Sequence, residues 1–180
     1  NEDEEILKTI SLILENVRCD YLISICYDYD EDPTLNIINQ KFPNINKINF
    51  IKNNSRGFNN ALITGIKNTH GEAVMIFMAD DQENYNIIDE CLKKFEEGYS
   101  LVCPSRFIKG GRMEGNSFIK EILTRSASFF LKYFTTFPIK DSTNSFRLFS
   151  RKVLNEINQF ESEKGFTLCF EITAKAHRLG

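Results

Sequence analysis

Apolar and polar positions alternate along this chain in blocks whose period switches between helix and strand. Over residues 4–17, Ile6, Ile10, Leu12, Ile13 and Val17 recur close to helical spacing and predict a helix with one apolar face. Residues 21–26 form a short apolar run that reads as a buried strand, and it ends in the acidic loop Asp28-Tyr29-Asp30-Glu31-Asp32. Pro33 then opens a short helix towards Lys41, because proline suits the first helical turn. Residues 45–51 predict a second strand, and the turn Asn53-Asn54-Ser55-Arg56-Gly57 leads into a helix through Asn68. After Gly71, residues 74–78 read as a strand that stops at Asp80-Asp81. A helix over about 85–97 and a strand over 100–103 follow.

Helices and strands thus alternate, which is the pattern of an α/β protein with a mostly parallel central sheet flanked by helices. Such sheets place ligand-binding residues at the carboxyl ends of their strands. Those ends are Asp28, residues 53–57, residues 80–82 and residues 104–106, and every one of them is polar. The second half is less regular. Gly110-Gly111 marks a flexible loop, and residues 118–134 predict a long helix rich in aromatics. Asp141-Ser142-Thr143-Asn144-Ser145 is a polar, turn-like cluster followed by apolar Phe146, Leu148 and Phe149, and a last helix spans about 168–179.

A length of 180 residues suits one domain, with both ends reading as cut, so that the natural protein is expected to carry more. A formal net charge of -3 gives no general reason to bind nucleic acid, although Lys and Arg cluster between Arg106 and Arg151. The five cysteines are odd in number and lack C-x-x-C spacing, which reads as reduced core thiols and a cytoplasmic setting. Two histidines make a zinc site a poor expectation. Neither a signal peptide nor a spanning apolar stretch is present, so any membrane attachment at the cytoplasmic face is expected to come from regions outside these residues.

Three places carry candidate chemistry. Asp80 and Asp81 end a strand with hard oxygen donors, which suit Mg2+ or Mn2+ bound together with substrate phosphates; a solvated turn capping the next helix is the competing reading. Asp28 can accept hydrogen bonds from a base or ribose, and the same acidic loop equally suits a helix N-terminus. Arg106, Lys109 and Arg112 surround two glycines, where cations can grip phosphate or simply meet solvent. Together these features suit a nucleotide diphosphate. In the aromatic helix, Phe118, Ile122, Phe129, Phe130, Tyr133 and Phe134 read first as core. The other reading is an amphipathic surface that meets a bilayer, with Lys120, Arg125 and Lys132 at the headgroups.

The chain resembles family 2 glycosyltransferases of the GT-A fold, closest in pattern to dolichol-phosphate mannosyltransferases and related polyprenyl-phosphate sugar transferases. Asn1-Glu2 looks like the tail of the motif P-x-Y-N-E, with its strand missing from these residues. The stretch from Cys26 to Thr34 resembles V-D-D-G-S-x-D-G-T, and that from Asn54 to Ala61 resembles N-x-G-x-x-x-A. Met78-Ala79-Asp80-Asp81-Gln82 is similar to D-A-D-x-Q, and Pro104-Ser105-Arg106-Phe107 with Lys109-Gly110-Gly111 to G-S-R-Y-x-x-G-G. Asp141 to Arg147 resembles D-x-T-S-G-F-R, and Gly165-Phe166 with Glu171 and Lys175 resembles G-F-x-x-x-x-E-x-x-x-K. Four positions depart from the pattern: Tyr27 and Met78 each stand where an aspartate is usual, and Tyr29 and Ser145 each stand where a glycine is. Met78 brings a soft thioether, a poor ligand for a hard cation.

The resemblance implies inverting transfer of a sugar from a nucleotide-diphospho-sugar to a lipid phosphate or a glycan. It assigns Asp28, Arg56, Gly57, Asp80, Arg106 and Arg147 to the donor, with Arg106 and Arg147 on its phosphates, and Asp80 and Gln82 to Mg2+ or Mn2+. A hydroxyl acceptor would need a general base, for which Asp141 and Glu171 are the candidates, whereas a phosphate is already an anion. Two other readings stay open. One is a nucleotide-sugar-binding module without turnover, motivated by Tyr27 and Met78. The other is a nucleotidyltransferase, which would want a glycine-rich loop after a first strand.

Overall fold

The computed structural model describes residues 2–111, 118–137, 139–157, 160 and 167–179. Helix α1 (Glu2–Asn16) buries Ile10 and Ile13, with Val17 just beyond its end. Strand β1 (Ile23–Tyr27) leads to α2 (Pro33–Lys41), whose start is fixed locally: Asp32 accepts from the Thr34 N–H at 3.0 Å and Pro33 takes the first helical position. Strand β2 (Ile48–Lys52) pairs in parallel with β1, Ile23 opposite Ile48 and Tyr27 opposite Lys52. Gly57, at φ +106°, turns the chain into α3 (Phe58–Asn68), a conformation that glycine adopts without a Cβ penalty.

Beyond β3 (Ala73–Ile76), a 3-10 turn over Asn84–Ile87 precedes α4 (Ile88–Glu96) and β4 (Leu101–Val102). Helix α5 (Phe118–Phe134) is followed by β5 (Arg147–Ser150), α6 (Arg151–Glu156) and α7 (Leu168–Leu179). The α/β class expected from the pattern holds. The mostly parallel sheet does not hold for the described strands, because β5 inserts antiparallel between β3 and β4. All four residues of β5 are buried, as befits a central strand covered on both faces. Since β3 and β4 each run against β5, they run parallel to one another.

Helix α3 joins the two sheets. It packs on β1 and β2, while Ile66 shares a core with Ile76, Phe149, Leu154, Leu168 and Ile172. Arg151 fastens the far end by donating to the carbonyls of Ile66 (2.6 Å) and Gly71 (3.1 Å) and to the Thr69 hydroxyl (2.9 Å). The chain leaves β2 at its carboxyl end and passes through α3 to β3. Because β1 and β2 pair in parallel, their carboxyl ends lie side by side.

Asp89, near the start of α4, accepts from the backbone N–H of Arg18 (3.2 and 3.0 Å) and of Cys19 (3.0 Å), which fixes the loop entering β1. Burial acts to raise its pKa, but these donors outweigh burial and hold the carboxyl below its ordinary value. A depressed carboxylate pKa contributes stability above the unfolded-state value, and that stability is lost as pH falls through the folded-state value. Asp89→Ala is expected to cost about 1 kcal/mol at neutral pH. Urea titrations across pH should show that difference vanishing on acidification; a pH-independent difference would contradict the capping role.

Candidate functional site

Two loops close over each other at the end of the β1–β2 sheet. The Asp28 carboxylate accepts from the Asn53 amide at 2.9 Å and from the Gly57 N–H at 3.3 Å, and Asn53 in turn accepts from the buried Thr64 hydroxyl at 2.8 Å. Asp28, Gly57 and their neighbour Arg56 are therefore brought together as the sequence led us to expect. Arg56 lies over the Tyr29 ring, 5.9 Å from its centroid, and Lys52 pairs with Asp30.

At the end of β3 the two aspartates take separate tasks. Asp81 accepts from the N–H groups of Glu83 (3.1 Å) and Asn84 (2.9 Å) and from the Asn84 amide (2.6 Å), so it caps the following turn. Asp80 is exposed and makes no hydrogen bond or ion pair among the described residues. The capping reading of this stretch is thus realised on Asp81, and Asp80 takes no part in it. Gln82 is half-buried beside them. No group of three or more His, Cys, Asp or Glu side chains that could enclose a metal occurs among the described residues. One free carboxylate with an adjacent amide still fits a magnesium-like ion, since such ions are commonly held by one or two carboxylates plus substrate phosphates. Met78 adds no hard donor, and Asp81 is already committed.

The third element lies at the end of β4. Arg106 forks onto Asp141 with Nε and one Nη at 2.7 Å each, its backbone N–H donates to the same carboxylate at 3.0 Å, and its guanidinium also reaches Thr143 at 2.7 Å. Asp141 is only 1% exposed. The expectation of a general base at Asp141 therefore meets a buried carboxylate whose two oxygens are already committed. Arg147 is displaced further from its expected task. It is buried, and it donates to the carbonyls of Cys169 (2.8 Å), Ser142 (2.6 Å) and Asp141 (3.4 Å) and to the Thr173 hydroxyl (2.5 Å). That geometry makes Arg147 a strut under the loop 141–145 instead of a phosphate ligand. Burial also pushes its pKa down. Glu171 forms an ion pair with Lys175 at 2.6 Å on α7.

The polar cluster at 141–145 is accordingly no solvated turn. Ser142 meets the buried Ser128 of α5 at 3.0 Å, and Asn144 donates to the Pro104 carbonyl at 3.0 Å. Gly111 is required where it stands: a Cβ there would lie 2.6 Å from the Ser105 carbonyl oxygen and 2.8 Å from that of Arg106. Burial pushes the Cys103 thiol nearby up to about 11, which fits an inert core thiol. Arg112 and the Gly165-Phe166 segment fall outside the described residues.

Helix α5 reverses the core reading. Its buried residue is Ser128, while Ile119, Ile122, Leu123, Phe129, Phe130, Tyr133 and Phe134 are exposed, from 46% at Ile122 to 71% at Phe134. Nothing is described of the Phe118 side chain. The large apolar side chains thus face outward, while Ser128 with half-buried Glu121, Thr124 and Leu131 turns towards the protein. No described helix is long and apolar enough to cross a membrane.

The strand ends thus carry the Asp28 carboxylate tied to the turn before α3, the exposed carboxylate of Asp80, and Arg106 forked onto Asp141. The chain belongs to glycosyl transferase family 2, a family of sugar-transferring enzymes whose model matches residues 1–158. It is 28% identical over 155 residues to a Bacillus subtilis (strain 168) protein named "Putative glycosyltransferase CsbB", covering 85% of this chain and 45% of that one. It is also 28% identical over 171 residues to "Uncharacterized glycosyltransferase sll0501" of Synechocystis, covering 92% of this chain and 52% of that protein. A third relative, "Uncharacterized glycosyltransferase YkcC" of Bacillus subtilis, is 24% identical over 165 residues, with 90% and 49% covered. The chain thus spans about half the length of these relatives. Family membership implies the GT-A architecture.

Proposed function

We propose that this chain is the donor-binding core of an inverting glycosyltransferase that transfers a sugar from a nucleotide-diphospho-sugar to a lipid phosphate at a membrane surface. The observation that carries the donor site is the pair at the end of β3, where Asp81 serves the fold and leaves Asp80 free for chemistry. Asp28 is half-buried and each of its oxygens accepts one hydrogen bond, so it keeps acceptor capacity for the base, and Arg56 with the Gly57 turn lines the donor. Arg106 presents its partly exposed edge to the phosphates, held in place by Asp141. Asp80 and Gln82 would hold a divalent ion, which together with the donor's diphosphate would offset the charge of the departing nucleotide. Neither carboxylate considered as a base is free, since Asp141 holds Arg106 and Glu171 holds Lys175. That favours an acceptor that is already an anion over a sugar hydroxyl. Titration of the full-length protein with UDP- and GDP-sugars, with and without Mg2+ or Mn2+, tests the reading. Metal-dependent binding followed by transfer or slow donor hydrolysis is expected, and binding without turnover across the panel would favour the module.

The lipid nature of the acceptor rests on α5. Its exposed apolar stripe carries two ring pairs, Phe129 with Tyr133 tilted at 4.4 Å and Phe130 with Phe134 stacked at 4.9 Å, and Arg125 and Lys132 lie on the same helix. A helix of this kind sinks its apolar side into the headgroup boundary of a bilayer. The double substitution Phe130→Ser with Phe134→Ser is expected to lower transfer to polyprenyl phosphate in anionic vesicles by about tenfold or more. Transfer to a short-chain, water-soluble phosphate should be unaffected. Equal loss with both acceptors would reject the membrane role.

A further inference from the structure

We infer that Ser128 is a positioning residue for Arg106, through which donor binding and membrane binding strengthen each other, an inference that rests on the donor and membrane readings above. A surface helix ordinarily buries its apolar side. Helix α5 does the reverse, with Phe129, Phe130, Tyr133 and Phe134 exposed and Ser128 only 1% exposed. It packs closely against no other described helix or strand. Its hold on the body comes from single side chains. The Ser128 hydroxyl lies 3.0 Å from that of Ser142 and accepts from the Ser142 N–H at 3.3 Å. Arg125 covers the Phe107 ring at 4.9 Å, and Phe137, just beyond the helix, stacks on Phe170 of α7 at 4.3 Å. A helix owes most of its stability to the packing of one face, and a bilayer that takes the apolar side of α5 supplies that packing.

Ser142 connects this helix to the donor end. Its neighbours both hold Arg106: Asp141 takes the guanidinium fork at 2.7 Å, and the Thr143 hydroxyl accepts from the same guanidinium at 2.7 Å. The Ser142 carbonyl accepts from buried Arg147 at 2.6 Å. Residues 141–143 are thus tied at once to Arg147, to Ser128 and to Arg106. Ser128 and Ser142 are both buried, so removing one hydroxyl strands the other. When α5 lifts away, the loop keeps Arg147 and loses Ser128, and Asp141 and Thr143 no longer fix one orientation of Arg106 for the donor's phosphates. Seating α5 therefore favours donor binding. Linkage requires the converse by the same factor, so a bound donor keeps α5 seated and strengthens its membrane contact.

The test measures binding of UDP and GDP, each with Mg2+, to the full-length protein by calorimetry. Each titration is run with and without acceptor-free vesicles of equal parts phosphatidylcholine and phosphatidylglycerol. Wild type should bind at least one nucleotide about fivefold tighter or more on vesicles, and that nucleotide should tighten vesicle binding by the same factor. Ser128→Ala should bind vesicles and nucleotide with neither affecting the other. Ser142→Ala should lose part of the mutual gain, because its N–H still donates to Ser128, and the double variant should fall no further than Ser128→Ala. Circular dichroism melts identify a variant that fails to fold. Phe130→Ser with Phe134→Ser, both at exposed positions, then carries the test, since its nucleotide affinity should not respond to vesicles. The link is overturned, and the two readings beneath it stand, if wild type binds vesicles and nucleotide independently. It is overturned equally if Ser128→Ala keeps the full gain or the double phenylalanine variant still responds. Wild type that binds no vesicles overturns the membrane reading, wild type that binds neither nucleotide overturns the donor reading, and each takes the link with it.

Discussion

Arg106→Ala is expected to destabilise the protein by about 3 kcal/mol, because it strands a carboxylate that is 1% exposed. The figure sits at the lower end for a broken buried pair, since the Arg106 backbone N–H still donates to Asp141. Three parts of the fold meet at this pair: the segment after β4, the loop before β5, and α5 through Ser128 and Ser142. Arg106→Lys keeps the charge and loses the fork, so an intermediate loss is expected. Asp141→Asn combined with Arg106→Ala should recover much of the deficit by removing the stranded charge. Urea unfolding with an unchanged slope measures these differences. A midpoint for Arg106→Ala equal to wild type would show that the pair adds nothing, and the loop 141–145 would need another anchor.

How much of this was legible beforehand depends on how local the cause is. The start of α2 follows from Asp32 and Pro33 alone, and α3 follows from Gly57 and the apolar spacing behind it. Strand β5 escaped notice because its first residue is an arginine and its partners are distant along the chain, with Ala73 opposite Ser150 and Leu101 opposite Phe149. Helix α6 is six residues long, too short to show a period. For α5 the spacing disclosed a stripe but not which way it faces. That orientation is set by Ser128 and Ser142, a contact between residues fourteen apart.

The candidate site shows the same division. Residue types at the strand ends were enough to single out Asp28, Asp80 and Arg106 as candidates. Their partners were not visible, and partners decide roles. On the strength of a motif Arg147 looked like a phosphate ligand and Asp141 like a general base, yet burial and four carbonyl or hydroxyl acceptors make Arg147 a structural group. The resemblance had assigned the metal to Asp80 and not to Asp81, and the capping bonds of Asp81 give that residue a task of its own. A motif therefore locates this site, while hydrogen-bond accounting says which of its members remain free to act.

That accounting makes the effect of Asp80→Ala a sharp expectation. Its carboxylate is exposed and unengaged, so the folding free energy should stay within about 0.5 kcal/mol of wild type. Sugar transfer, in contrast, should fall by about 100- to 1000-fold, the loss typical of removing one group that stabilises developing charge. The decrease should appear in kcat, because charge on the departing diphosphate grows only as the bond to the sugar breaks. Asp81→Ala should show the reverse pattern, about 1 kcal/mol of lost stability from the uncapped turn and a smaller change in rate. Met78→Asp would place a second hard donor two positions before Asp80, and tighter Mn2+ binding in the presence of UDP is expected. Paired urea titrations and single-turnover transfer assays at saturating Mn2+ separate these outcomes. If Asp80→Ala turns over at the wild-type rate, the free carboxylate at the end of β3 is no ligand of the donor's metal, and the catalytic role assigned to that strand end falls.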